Sequence, residues 1–377
     1  MTVKLWLLLL AFLHAASAFR LLGSLQLRAR TLGFAFSTGK NVATPPSPPP
    51  TSAEALRSLI ANAAADKQIL HMPCCYDGLT ARLVERAGFE VTFMTGYGVS
   101  AVHGLPDTQL VSYGEMVDSA RVITEALTTI PCIGDGDTGY GAYANIERTL
   151  RGYASAGLAG IMLEDQVSPK RCGHTKGKDV VSFDAAVGRV RAAVLARERL
   201  RTEKGGDMVI IARTDAAGPL GMDEAIRRCT AFREMLEDTD LTFLEAPTSE
   251  EELRRYCNEV PGPKLANCLE NGLTPMLPPA ELAGMGFTIA AYPLSLLAAS
   301  IKAMDQVLAM LHTNVNNCDD GGSVGGEGSS GGGAKELEES GLLATFSRTC
   351  EAVGFDEYYE REGALVEGAD LKTKPSN

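Results

Sequence analysis

Between residues 51 and 313, short runs of apolar and β-branched residues alternate with longer amphipathic stretches, eight times over. The apolar runs fall at 69–73, 91–95, 130–135, 160–164, 208–213, 241–245, 264–267 and 287–292. Helical periodicity occupies 79–88, 114–127, 145–156, 184–203, 223–237, 249–258, 279–285 and 294–312. Eight strand–helix units in roughly 250 residues predict a (β/α)8 barrel, whose interior accepts continuous apolar strands. A doubly wound open sheet is the rival. The polar residues favour the barrel, because Thr95, Asp135, Glu164, Arg213, Glu245 and Asn267 each stand where an apolar run stops. An open sheet would gather such residues at one switch point.

The flanks break the pattern. Residues 1–50 read as a targeting presequence followed by a linker. A basic start and Trp6 to Leu13 precede the small residues Ala15, Ala16, Ser17 and Ala18, as in a secretory signal, and the apolar run is too short to span a membrane. Residues 19–40 carry Arg20, Arg28, Arg30 and Lys40 without one acidic residue, the composition of an organelle transit segment. Two addresses in series predict a plastid behind an additional membrane, with a mitochondrion or the secretory pathway as alternatives. Pro45, Pro46, Pro48, Pro49 and Pro50 make a stiff spacer. After the barrel domain (51–313), the Gly- and Ser-rich stretch 314–334 predicts a flexible tether. The tail 335–377 predicts short amphipathic helices that dock on their own barrel or on a neighbour's.

A net charge of −12, with scattered lysines and arginines, excludes a nucleic-acid partner. Nine cysteines spread over 377 residues do not make the dense framework of a small secreted domain and read as thiols. One of them lies in Lys170-Arg171-Cys172-Gly173-His174, directly after an apolar run. Lys170, Arg171 and His174 surround that thiol with potential positive charge, the setting that activates a cysteine, and Gly173 suits a loop that covers substrate. Upstream, Gly134-Asp135-Gly136-Asp137 is an acidic turn at a strand end, suited to a hard cation. Asp135 is the expected direct ligand. Asp137 points the same way if the segment stays extended, and Asp107 and Glu164 act through bound waters. Arg213 offers a planar fork for a carboxylate.

Asp135 to Gly141, Glu164-Asp165-Gln166 with the Lys-Arg-Cys-Gly-His run, Ala212-Arg213-Thr214-Asp215-Ala216 and Leu265-Ala266-Asn267 together resemble the isocitrate lyase and phosphoenolpyruvate mutase superfamily over about residues 55 to 312. The cysteine motif is similar to that of its lyase branch. The resemblance implies a Mg2+-dependent (or Mn2+-dependent) enzyme that cleaves a carbon–carbon bond in a small 2-hydroxy dicarboxylate. Cys172 is then the general acid, and Lys170, Arg171 and His174 tune it. Glu245 lies near C2 or positions Arg213. Thr95, Gly96 and Tyr97 contact one carboxylate through backbone N–H groups, and Asn267 with Gly173 completes the substrate site. His71 and His103 are read as ordinary histidines.

The resembled methylisocitrate lyases place arginines where this chain carries Ala298 and about Ser347. Pro293 stands where oxaloacetate hydrolases are expected to have serine. A 2-alkylmalate or dimethylmalate substrate is therefore expected, ahead of 2-methylisocitrate, oxaloacetate or a phosphonopyruvate. A metabolite-binding protein without catalysis is the alternative of another class. The resemblance also implies a homotetramer with exchanged C-terminal helices; no membrane partner is expected for the mature form.

Overall fold

The computed structural model describes residues 52–173, 177–316 and 337–370, without the side chains of 313–316 and 366–370. Eight strands form, each overlapping a predicted one: β1 (Leu70–Cys75), β2 (Thr92–Met94), β3 (Cys132–Asp135), β4 (Gly160–Glu164), β5 (Val209–Thr214), β6 (Leu241–Leu244), β7 (Leu265–Asn267) and β8 (Ile289–Tyr292). They are parallel, in the order β6-β5-β4-β3-β2-β1-β8-β7. A single parallel bridge from Thr242 to Lys264 joins the two edge strands and closes the barrel. The open sheet is thereby excluded.

Side chains alternate across a strand with a period of two, and the interior of this barrel follows that rule. Phe93, Ile133, Met162, Ile211, Phe243, Leu265 and Ala291 belong to one buried interior cluster. One further step of two along the same strands reaches Thr95, Asp135, Glu164, Arg213, Glu245, Asn267 and Pro293. The period that fills the barrel with hydrocarbon thus delivers polar groups to its carboxyl mouth. Residues of the other parity, such as Ile161, Leu163 and Ile210, pack outward against the helical layer.

That layer comprises α1 (Ser52–Asp66), α2 (Gly78–Arg86), α3 (Gly96–Val102), α4 (Tyr113–Ala126), α5 (Tyr143–Ser155), α6 (Phe183–Lys204), α7 (Ala217–Leu220), α8 (Met222–Arg233), α9 (Glu250–Glu259), α10 (Pro279–Met285) and α11 (Ser295–Asn316). The three helices α1, α3 and α7 go beyond those expected. Leu56 and Ile60 of α1 are fully buried in the interior cluster, so this helix plugs the amino-terminal end of the barrel. Beneath the plug, Arg57 pairs with Asp207 at 2.9 Å, and Arg197 with Asp240 at 2.6 Å.

Helix α11 continues to Asn316, three residues into the expected tether. In the tail, α12 (Phe346–Val353) packs near α2, where Arg86 donates to the Glu351 carbonyl oxygen and pairs with Glu357 of α13 (Phe355–Asp370). No helix among the described residues is long and apolar enough to cross a membrane. The presequence 1–50, residues 317–336 and His174 lie outside the described residues.

Candidate active site

A cavity opens at the carboxyl mouth. Thr95, Asp135, Arg213, Glu245 and Asn267 line it from the strand ends, joined by Tyr97, Asp107, Lys170, Cys172 and Gly173 from the loops and α3. The sulfur of Cys172 and the acidic cluster therefore share one space.

Asp135 ends β3. Its Oδ2 accepts the Gly96 N–H at 3.2 Å, and its carbonyl oxygen accepts the Tyr153 hydroxyl at 2.7 Å. A Cβ on Gly96 would lie 2.8 Å from Oδ2, so that approach requires glycine. Asp137 does not continue an extended segment. Its φ of 47° turns the chain, and its N–H donates back to Asp135 Oδ1 at 3.1 Å. The Asp137 carboxylate instead pairs with Lys170 Nζ at 2.7 Å, and the same ammonium reaches Asp107 at 2.8 Å. Lys170 is thus engaged with two of the expected cation carboxylates, in the cavity that Cys172 also lines. Burial opposes its charge, but Asp137, Asp135, Glu164 and Asp107 together raise its pKa well above the usual lysine value. Burial pushes the Asp137 carboxyl up to about 6 in spite of Lys170.

Glu164 is buried, and both carboxylate oxygens lack a hydrogen-bond partner among the described residues, although Arg213 Nε is 3.3 Å from Oε2. Burial lifts its carboxyl well above the usual range, outweighing Arg213 and Lys170. Among the described residues no three His, Cys, Asp or Glu side chains converge closely enough to enclose an ion. The donors present are all carboxylate oxygens, and those of Glu164 have no hydrogen bond. This set fits a hard divalent cation that touches Asp135 and keeps most of its waters, and does not fit a stripped ion in a protein cage.

The fork of Arg213 is already occupied. Nε and Nη2 donate to the two oxygens of Asp215 at 2.8 and 3.1 Å, so the expected two-point grip on substrate from that edge is corrected. Asp215 is completely buried, and its role was not read from the sequence. Burial would raise its carboxyl, yet Arg213 and Lys178 bring it down to about 2. Its N–H donates to Asp165, which holds Arg228 at 2.9 Å. These bonds use Nε and Nη2, and Arg213 is among the residues that line the cavity.

Asn267 Nδ2 donates to Glu245 at 3.2 Å, and Arg213 Nη2 stands 3.9 Å from the same carboxylate oxygen. Gly173 covers this group so closely that a Cβ there would lie 2.5 Å from both Arg213 Nη2 and Glu245 Oε1. Arg171 is exposed, and its guanidinium lies beside Gly177. Its backbone exchanges hydrogen bonds with the Gln166 side chain at 2.8 and 3.0 Å, so its visible part is to hold the loop. The Thr95 N–H is engaged by the Cys75 carbonyl at 3.0 Å and that of Gly96 by Asp135, which corrects the expectation that both reach substrate; Tyr97 lines the cavity. Ala298 and Ser347 are exposed on α11 and α12 and are not among the cavity's described lining residues. His103 Nδ1 bonds the Val99 carbonyl at 2.9 Å and His71 stacks on Tyr292, as ordinary histidines do. Cys74, Cys75, Cys132, Cys229 and Cys268 are buried as thiols.

The model of the family described as phosphoenolpyruvate phosphomutase matches residues 60–312. The chain is 44% identical to the 2,3-dimethylmalate lyase of Eubacterium barkeri over 63% of this chain and 80% of the relative. It is 36% identical to the petal death protein of Dianthus caryophyllus, over 77% and 83% of the two chains. A solved oxaloacetate acetylhydrolase, in complex with 3,3-difluorooxalacetate, superposes with a TM-score of 0.71 at 34% identity, covering 84% of this chain and 97% of its own. On the fold, the strand-end motifs and these matches, the chain belongs to the phosphoenolpyruvate mutase/isocitrate lyase superfamily of enzymes.

Proposed function

We propose that the protein is a Mg2+-dependent carbon–carbon lyase, with Mn2+ as a substitute, that splits a 2-alkylmalate-type 2-hydroxy dicarboxylate into a 2-keto acid and a carboxylic acid. One observation carries this reading: Cys172 lines the same cavity as Asp135, Arg213 and Glu245. Asp135 would hold the cation, with Asp107, Asp137 and Glu164 behind its waters. Bound there, it would supply positive charge to the C1 carboxylate and the C2 oxygen.

The chain's own residues do the rest. Nη1 of Arg213 and the Asn267 amide bind carboxylate, and Glu245 holds Asn267 and Arg213 in place. As the C2–C3 bond breaks, its electron pair moves onto C3 and the adjoining carboxyl group as an enolate, while the C2 hydroxyl loses its proton and becomes the keto oxygen. The Cys172 S–H gives its hydrogen to C3, and the thiolate then recovers the proton released from the hydroxyl. Gly173, seated on Arg213 and Glu245, keeps water from the enolate.

The lining supports the substrate class. Its described cations are Lys170 and Arg213, both already facing carboxylates, while Leu269, Pro293 and Leu294 make an apolar wall. A third substrate carboxylate would meet no further cation there, whereas an alkyl group has hydrocarbon to touch. The similarity to a dimethylmalate lyase points the same way. The test is keto-acid release from racemic 2-alkylmalates, 2-methylisocitrate, oxaloacetate and phosphonopyruvate, with and without Mg2+. Faster turnover of any of the last three replaces the alkylmalate reading.

A homotetramer with exchanged tail helices belongs to the same proposal. Ile301, Met304, Leu308 and Leu311 make an exposed apolar stripe along α11, and Phe346 of the tail is 85% exposed. A mass of one chain in solution overturns it. Delivery to a plastid by residues 1–40 is tested by fusing them to a fluorescent protein.

A further inference from the structure

Lys178 was assigned nothing in the sequence, yet its ammonium is buried against Asp215 Oδ1 at 3.1 Å, with 7% of the side chain exposed. It belongs to the loop that carries Cys172. Where that loop returns to the sheet, Val180 bridges Gln166, the Val181 N–H donates to the Asp165 carbonyl at 2.9 Å, and Arg228 Nη2 donates to the Val181 carbonyl at 2.9 Å. The Lys178 stem passes over Gly218, where an added Cβ would lie 3.1 Å from Cε.

Arg213 stands among three carboxylates: Asp215 at 2.8 Å, Glu164 at 3.3 Å and Glu245 at 3.9 Å. Which of them its fork faces decides where Nη1 points. Lys178 bonds Oδ1 of Asp215, the oxygen that also accepts from Arg213 Nη2, and this second cation holds the carboxylate in place before the fork, so that Asp215 rather than Glu164 or Glu245 fills it. The loop therefore meets Arg213 twice, directly through Gly173 and indirectly through Lys178 and Asp215.

We propose that Lys178 is a positioning residue that ties the seat of the Cys172 loop to the orientation of Arg213, so that acid thiol and substrate-binding guanidinium are placed by one ion pair. This rests on the reading of Arg213 as a substrate partner, and its test is chosen to separate the two.

In the full chain, Lys178→Met, Asp215→Asn and the double variant are compared with wild type by amide hydrogen exchange over residues 166–173 and by kcat and KM on the best 2-alkylmalate. Lys178→Met is expected to speed exchange in that segment about tenfold while strand amides stay unchanged. It should lower kcat about 100-fold, with a smaller change in KM. The effects of the two single changes on exchange should be non-additive, since they break one interaction. Unchanged exchange in Lys178→Met, or simple additivity in the double variant, overturns the inference. Faster exchange with no alkylmalate turnover by wild type leaves the tie standing and removes the reaction reading instead.

Discussion

The two ends of the barrel are both ionic, and they use charge in opposite ways. At the amino-terminal floor the carboxylates are saturated. Asp240 accepts from Arg197, from the Ile210 N–H and from the Glu237 N–H, and Asp207 is held by Arg57 and Arg201. Although burial pulls the other way for Asp207, these partners lower its carboxyl below the usual range, and Arg201 does the same for Glu237. At the mouth Asp215 is lowered too, by Arg213 and Lys178, but for Asp137 and Glu164 the direction reverses and burial raises both. The floor carboxylates are paired as they stand, whereas the mouth carries negative charge that its own cations do not saturate. Stability is concentrated at one end and readiness for a ligand at the other.

The contrast can be broken most sharply at Cys172. Cys172→Ser should lower kcat by about 100- to 10,000-fold with unfolding unchanged, as expected for loss of a general acid; equal activity would remove the thiol from the reaction. Next in size is the floor, where Asp240→Ala removes the 2.6 Å partner of the buried Arg197, leaves it only the more exposed Glu237 at 3.4 Å and Glu198 at 3.9 Å, and should cost about 3–5 kcal/mol in denaturant unfolding, with activity per folded molecule retained. A loss of activity there without a loss of stability would erase the division. Glu164→Gln should do the reverse, gaining about 1–3 kcal/mol in the cation-free protein because it removes a buried charge without hydrogen bonds, while weakening stabilisation by Mg2+.

Acidity separates the ends again. With Asp137 at about 6 when folded, against an ordinary 3.8, its ionised form disfavours folding. That penalty is absent below the unfolded value, grows as pH rises between the two, and is complete above the folded one. The rise in Tm on adding Mg2+ should accordingly be larger near about pH 8 than near about pH 5. Asp207 and Glu237 are lowered, so their stabilisation is present above ordinary carboxyl values and fades as acid takes the pH below them. A Mg2+ effect independent of pH would count against an unsaturated mouth. Smallest is Tyr153→Phe, which removes the hydroxyl bonded to the Asp135 carbonyl and should cost about 1 kcal/mol with kcat little changed.

The alternation of apolar runs carried the barrel, and the strand ends carried Asp135, Glu164, Arg213, Glu245 and Asn267, because a period of two projects them inward whatever the loops do. Helix α1 was missed although Leu56, Ile60 and Ala63 have helical spacing; a fifteen-residue segment before the first strand gives no sign that it belongs to the core. Partnerships were far less legible than positions. That Lys170 serves Asp107 and Asp137, and that the Arg213 fork is filled by Asp215, depends on a left-handed turn at Asp137 and on loops folding back over the sheet. No spacing in the chain encodes those distances.

The joint between β6 and β7 is held by one backbone bridge, where β4 and β5 share five paired positions. Directly above that narrow seam, Asn267 of β7 reaches across to Glu245 at the end of β6. Side chains proposed to serve the substrate site thus double as the rivet of the weakest join in the wall, so trimming either one is expected to loosen the vessel itself.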